Sequence, residues 1–506
     1  MFAFALWDTL NETLFLARDR CGERSLVYYL DKEKFIFSSE IKTIVPLLPR
    51  KPELEPAVVD LYLHYQYTPE PFTLLQGIQK LPAAHTLTIT RDLKKAELRR
   101  YWCVEDTPVI SGLPTDTSGI LHNIREAFEE SVKLILRTNE TVAVGLSGGI
   151  DSSIIATLAR KNISGPMHAI SVGYPGRPPY DERNQAKELA EKLGIIFHEV
   201  ELPVNRFVDF FPELVNIMDE PVADPAAFGH YTVSKAARDH GFKILLSGIG
   251  GDELFWGYEW VAKAAIINQN SLFTSKILIN LLKTFLPFRM RKRVKKYINM
   301  DLTTPDGFFH FLDLTPDFCY AKLNLSYLYG STMNNLSSLN AYRPIDIGKR
   351  SKEQIPAAVI RMLFDTWLIG NCLNLSNFVS VDTGVESRLP FLEPKFINLV
   401  MALRRNLPDH KLGQKAWLRA AFKNVLPDEV LSRSKRGFQP PVQEWLNGVV
   451  EHYGNILLDG QLKSQGILEN ISIDNLLKKK NESWNNLFIA YKLVLLENWV
   501  NTVYDR

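Results

Sequence analysis

Over the first hundred residues the apolar positions come in short runs. FAFALW (2–7), TLFLARD (13–19), SLVYYL (25–30) and KFIFSS (34–39) are rich in aromatic and β-branched residues, with polar turns between them, as strands are. Helical patterns follow near 40–48 and 56–65, then a further strand, HTLTIT, at 85–90. A polar stretch with Pro and Gly, 107–119, reads as a linker. Beyond it Ile120, Ile124, Phe128 and Val132 recur every four residues, which predicts an amphipathic helix. Strand and helix patterns then alternate: TVAVGL (141–146), a helix over 151–161, MHAISV (167–172), a helix over 181–193, IIFHEV (195–200), helices near 205–218 and 228–240, and KILLSG (243–248). That alternation predicts an α/β fold with a doubly wound parallel sheet, which binds ligands at the carboxyl ends of its strands beside a topological switch point. From about 260 onward the pattern is mostly helical.

Composition narrows the classes. The 506 residues are 46% hydrophobic and 23% charged, with 59 Lys and Arg against 57 Asp and Glu, a net charge of +2. This excludes a disordered chain and gives no footprint for nucleic acid. One basic run, RMRKRVKK (289–296), reads as a solvated face or mobile loop. Four scattered cysteines (Cys21, Cys103, Cys319, Cys372) form neither a disulfide framework nor a zinc pattern, so a reducing, cytoplasmic location is expected. The start, MFAFALWDTL, lacks a basic leader region, and the apolar stretch 276–288 is broken by Lys283 and Pro287, so no membrane association is expected.

Three segments carry chemistry. VGLSGGIDSS (144–153) follows a strand and opens a helix, where unpaired N–H groups and the helix dipole favour a phosphate. Gly148 and Gly149 let the backbone wrap an anion, Ser147, Ser152 and Ser153 add hydroxyls, and Asp151 among anions points to an intervening Mg²⁺. The loop is neither a Walker A nor a dinucleotide fingerprint. LLSGIGGDELFWGY (245–258) has four glycines and offers Asp252 as a second metal carboxylate, with Glu253 read as a surface or first-turn charge. LSRSKRGFQPPVQEWL (431–446) places Lys435 and Arg436 on a loop, and a lysine over an ATP site can stabilise charge on a transferring group.

SGGxDS resembles the pyrophosphate loop of ATP pyrophosphatases. Combined with LFLARDRCGERSLVYY (14–29), FSSEIKTIV (37–45) and VESRLPFLEPKF (385–396), the three segments resemble the glutamine-dependent asparagine synthase family over about residues 1–450. The resemblance implies a partial α+β glutaminase-like sandwich at 1–113 and an ATP pyrophosphatase-type synthetase domain at 114–506, its C-terminal part mostly helical. It implies adenylation of a carboxylate, aspartate in asparagine synthesis, and attack by ammonia or an amine with release of AMP and pyrophosphate. It assigns Ser147, Gly148, Gly149, Asp151 and Ser152 to pyrophosphate, Leu146, Val172, Ser247 and Gly248 to the adenosine pocket, Asp151 and Asp252 to Mg²⁺, and Lys435 to the phosphates and reacting carbonyl. A separate glutaminase as nitrogen source and a homodimeric state are both compatible with it.

Three departures stand beside the resemblance. The family's N-terminal nucleophilic Cys has no counterpart here, so glutaminase activity is not expected of this chain. Asp19 matches a glutamine-contacting Asp, while Cys21 reads as a packed, inert thiol. Ile249 replaces the Glu of asparagine-making members and cannot relay a proton. Asn377, Phe378, Val379, Ser380 and Val381 stand where the family commonly reads DRxSM, which leaves the acceptor open: a tailoring amidotransferase or cyclase, or a catalytically degenerate relative, is the alternative.

Overall fold

The structure is a computed structural model that describes residues 1–106, 110–270, 310–315, 318, 321, 325–333, 350–433 and 440–504. Seven antiparallel strands open the chain: β1 (Ala3–Asp8), β2 (Thr13–Arg18), β3 (Val27–Leu30), β4 (Phe35–Ser38), β5 (Ile78–Lys80), β6 (His85–Thr90) and β7 (Ala96–Arg100). They form two sheets, ordered β1-β2-β6-β7 and β4-β3-β5. Leu16, Leu87 and Ile89 of the first meet Tyr28 of the second, with Leu26 and Leu81, in a small core between the sheets. β5 and β7 do not show in the hydrophobic pattern: IQK is three residues long, and AELRR lies largely exposed at a sheet edge.

The second sheet system is wholly parallel. β8 (Val142–Gly145), β9 (His168–Gly173), β10 (Ile196–Glu201), β11 (Ile244–Leu246) and β12 (Glu386–Arg388) lie in the order β10-β9-β8-β11-β12. Ala143, Ile170 and Leu245 point into one apolar cluster and Val144, Ala169 and Leu246 into another, so the period-2 alternation buries both faces, as a doubly wound sheet requires. β12 is polar and brief (ESR) and is recruited by pairing Ile244 with Glu386 and Leu246 with Arg388. Strand order reverses at β8, since β9 and β10 extend to one side and β11 and β12 to the other. The loops after β8 and β11 therefore flank the switch point.

The predicted amphipathic helix is Thr117–Ile135, capped by the Asp116 side chain on Gly119 N. The back of the chain is helical, closing with the buried helix Trp484–Tyr504. Polar pairs, the first two buried and the others half-buried, join the N-terminal sandwich to the rest. Asp219 accepts the Ile41 and Lys42 amides at 2.8 and 3.2 Å, and Glu220 accepts Leu74 N–H at 3.0 Å and pairs with Lys80. Arg100 pairs with Asp365 at 2.9 Å, and Glu105 with Arg350 at 2.6 Å. Among the described residues no helix is long and apolar enough to cross a membrane. The basic run 289–296 and Cys319 lie outside the described residues.

Candidate functional site

The carboxyl end of β8 runs into residues 146–149 and then the Ile150–Asn162 helix, so the glycine loop sits at a helix N-terminus. Gly148 has φ +81°, and a Cβ there would press on the Glu182 carbonyl at 3.2 Å, so the turn needs glycine. Ser152 Oγ accepts Ser147 N–H at 3.2 Å and donates to the Gly149 carbonyl at 3.1 Å, while Ser153 Oγ donates to that carbonyl at 2.8 Å. The serines thus brace the loop from inside. Arg433 also reaches it, donating to the Gly148 carbonyl at 3.0 Å. Leu146 is buried and Val172 part-buried near the ends of neighbouring strands, and Ser247 and Gly248 follow β11 directly. Gly248 packs on Asp151: a Cβ at Gly248 would lie 3.0 Å from the Asp151 Cβ.

Asp252 opens the second loop's short helix, Gly251–Leu254, whose preceding Gly250 has φ +97°. Asp151 and Asp252, about a hundred residues apart in sequence, meet at one position. The ammonium of Lys415 bonds to Asp151 Oδ2 and lies 2.6 Å from Asp252 Oδ1. Lys415 is 1% exposed and adopts the left-handed region at φ 54°, a conformation disfavoured for a non-glycine residue. Burial pulls its ammonium pKa down, but the two carboxylates outweigh burial and raise it.

Sequence reading missed Lys415, because GQKAWL has no motif that distinguishes it from a surface lysine. The lysine is fixed by contacts that exist only in the fold. Lys415 N–H donates to the Phe255 carbonyl at 3.0 Å and Gln414 Nε2 to the Gly257 carbonyl at 2.8 Å. Trp256 Nε1 donates to Asp409 at 2.9 Å, and Asp409 pairs with buried Arg404 at 2.6 Å.

Glu253 corrects the expectation of a surface charge. It does lie in the first turn of its helix, but it is 2% exposed. Oε2 accepts Gly250 N–H at 3.0 Å and Oε1 accepts the Tyr258 hydroxyl at 2.8 Å. Burial, then the Asp252 charge, push its carboxyl up. Tyr258 stacks on Trp260 at 5.0 Å and receives Trp367 Nε1–H at 3.3 Å. Ile249 packs against the main core.

The donor set fits a hard divalent cation: two carboxylates converge on a position already occupied by positive charge, and Mg²⁺ is commonly held by one or two carboxylates together with phosphate oxygens. Among the described residues no cluster of three His, Cys, Asp or Glu side chains offers a metal cage. Lys435 lies outside the described residues. Asp19 is a loop organiser in this fold: Oδ1 accepts Cys21 and Glu23 amides at 3.2 and 3.0 Å, and Oδ2 those of Arg24 and Phe2 at 3.1 and 3.2 Å. Cys21 is buried, which pushes its thiol pKa well up.

The family model described as asparagine synthase matches residues 123–501, and that described as a glutamine amidotransferase domain matches residues 1–102. Asparagine synthetase (glutamine-hydrolyzing) 1 of Bacillus subtilis is 27% identical over 474 residues, covering 91% of this chain and 71% of its own length. A putative asparagine synthetase of Mycobacterium tuberculosis is 28% identical over 460 residues, covering 88% of this chain and 68% of its own. The amidase chyE of Penicillium rubens is 25% identical over 488 residues, covering 88% and 70%. The chain belongs to the asparagine synthase family, whose general chemistry is ATP-dependent amidation by a ligase.

Proposed function

We propose that the chain adenylates a carboxylate with ATP and transfers ammonia or an amine to the activated carbonyl, releasing AMP and pyrophosphate. The supporting observation is the convergence of Asp151 and Asp252, from the loops on either side of the switch point, on one cationic position beside the glycine loop. In this reading Ser147, Gly148, Gly149 and Ser152 receive the pyrophosphate, and Leu146, Val172, Ser247 and Gly248 line the adenosine. Asp151 and Asp252 hold Mg²⁺, which when bound neutralises phosphate charge. Lys415 keeps the two carboxylates together, and the family resemblance assigns Lys435 the charge of the phosphates and the reacting carbonyl. Buried Glu253 fixes the turn that aims Asp252 by tying Gly250 to Tyr258. We place the boundary between the two domains at 113/114 and the protein in the cytoplasm.

Aspartate is the first acceptor to test. With ATP, Mg²⁺, aspartate and ammonium, AMP, pyrophosphate and asparagine form in equal amounts, and Asp252→Asn lowers the rate by roughly 100-fold or more. Absence of AMP with every carboxylate tried refutes the reading. Ile249, apolar and packed where a proton-relaying carboxylate is expected, favours a second reading: a tailoring amidotransferase or cyclase acting on another carboxylate. It forms AMP with that acceptor and none with aspartate.

A further inference from the structure

Strand β9 pairs with β8 and ends at Gly173, so the loop 174–182 leaves the carboxyl end of the sheet beside the glycine loop. A buried ion pair closes this loop. Asp181 Oδ2 accepts Tyr174 N–H at 2.8 Å, and Asp181 Oδ1 accepts Arg183 N–H at 3.0 Å. The Arg183 guanidinium grips the same carboxylate, Nε on Oδ1 at 3.0 Å and Nη2 on Oδ2 at 2.7 Å, and Nη2 also donates to the Tyr174 carbonyl at 2.7 Å. One bidentate pair thus holds both ends of the loop, with Arg183 3% and Asp181 9% exposed. Two contacts connect the pair to the nucleotide site proposed above. Glu182, between the paired residues, presses its carbonyl on the glycine loop, 3.2 Å from where a Cβ on Gly148 would stand. Gly173 makes room for the guanidinium: a Cβ there would fall 1.8 Å from Arg183 Nε.

We propose that Arg183 and Asp181 are positioning residues for the triphosphate of ATP. Their pair holds the first turn of the Arg183–Leu193 helix against Gly148, and so fixes the width of the glycine loop that receives the β- and γ-phosphates. The inference rests on the ligase reading above and adds to it two residues that act through the Glu182 carbonyl. A buried Arg–Asp pair by itself can be purely structural. Here the chain between the paired residues touches the glycine loop, and the strand end they pack on carries Val172, assigned above to adenosine.

Arg183→Lys keeps the charge and loses the planar fork, so it cannot hold both ends of the loop. Calorimetric titration of the full chain with ATP and Mg²⁺ is expected to show binding weakened roughly tenfold or more in this variant. AMP, which lacks the β- and γ-phosphates, is expected to stay within about threefold of the parent, whereas a general loss of folding weakens both nucleotides alike. Gly173→Ala keeps both charged residues but displaces the guanidinium, and is expected to weaken ATP binding likewise. In an Arg183→Ala background, where the overlapping atoms are gone, Gly173→Ala is expected to cost nothing further, as for two groups acting through one contact. Unchanged ATP affinity in Arg183→Lys, equal losses for ATP and AMP, or additive losses from Gly173→Ala and Arg183→Ala overturns the proposal. A parent that binds neither nucleotide counts against the ligase reading and takes this inference with it. A parent that binds ATP no more tightly than its variants sinks the inference alone.

Discussion

Lys415→Met keeps the length and packing of the side chain and removes the ammonium that pairs with both Asp151 and Asp252. Lys415 is 1% exposed, while the two carboxylates are 14% and 17% exposed. Removing one partner of a buried ion pair costs about 3–5 kcal/mol, because the remaining charge stays buried and uncompensated. Residual access of water to the two carboxylates puts this case near the lower end, about 3 kcal/mol, or roughly 150-fold in the unfolding equilibrium. Mg²⁺ offers a replacement cation, and at about 100 times its Kd it returns about 2.7 kcal/mol, enough to cancel most of the loss. Urea unfolding followed by tryptophan fluorescence, in EDTA and in excess MgCl₂, measures both numbers. The lysine pKa is raised above 10.5, so its contribution is complete below that value and is lost only as pH rises through the still higher folded value. The gap between the parent and Lys415→Met therefore holds across mildly alkaline pH. A loss under about 1 kcal/mol in EDTA, or a variant that Mg²⁺ stabilises no more than the parent, refutes the account of a shared cation position.

Other outcomes follow from single contacts. Gly257 lies so close to Asp252 that a Cβ would overlap the carboxylate, so Gly257→Ala is expected to lower ATP-dependent AMP formation by roughly tenfold or more while circular dichroism is preserved. Wild-type activity in that variant argues against Asp252 as a metal carboxylate. Burial raises the Asp219 carboxyl from 3.8 to about 7, so its stabilising contribution is present below 3.8 and is lost as pH rises to about 7. Asp219→Asn is then expected to flatten the fall in urea midpoint across that window, and an unaltered slope contradicts it. Arg404→Met leaves the Asp409 charge buried without its guanidinium, holding the Trp256 indole bond, and frees the Leu254 carbonyl, so a loss of about 3–5 kcal/mol is expected in urea unfolding, and a neutral result removes Arg404 from the scaffold behind Lys415.

Much of this molecule is local and was legible as such. Alternating strands and helices in 141–248 yield a parallel sheet because short, nearly continuous apolar runs joined by helices are strands linked by crossovers and buried on both faces. The glycine loop of 146–149 was readable for the same reason: φ +81° at Gly148 and a helix start at Ile150 are properties of a few consecutive residues. Asp151 and Asp252 could be named as a pair by resemblance, but nothing in the spacing shows that they touch.

What the tertiary structure alone decided is which distant groups share space. β12 is a strand only because β11 offers its edge, and its three polar residues carry no strand signal. Glu253 follows Asp252 in a glycine-rich turn that reads as solvated. Tyr258, from the far end of the loop, and Gly250 enclose it and turn an expected surface charge into a buried brace. Lys415 lies in a stretch without a motif and becomes the centre of the site through its own amide bond to Phe255 and the bond of Gln414 to Gly257. Local propensity is written within a few residues, so the sequence determined the sheet, the phosphate-type loop and the family. Burial and charge pairing depend on where the chain returns, so the fold decided the cation position and the role of Glu253.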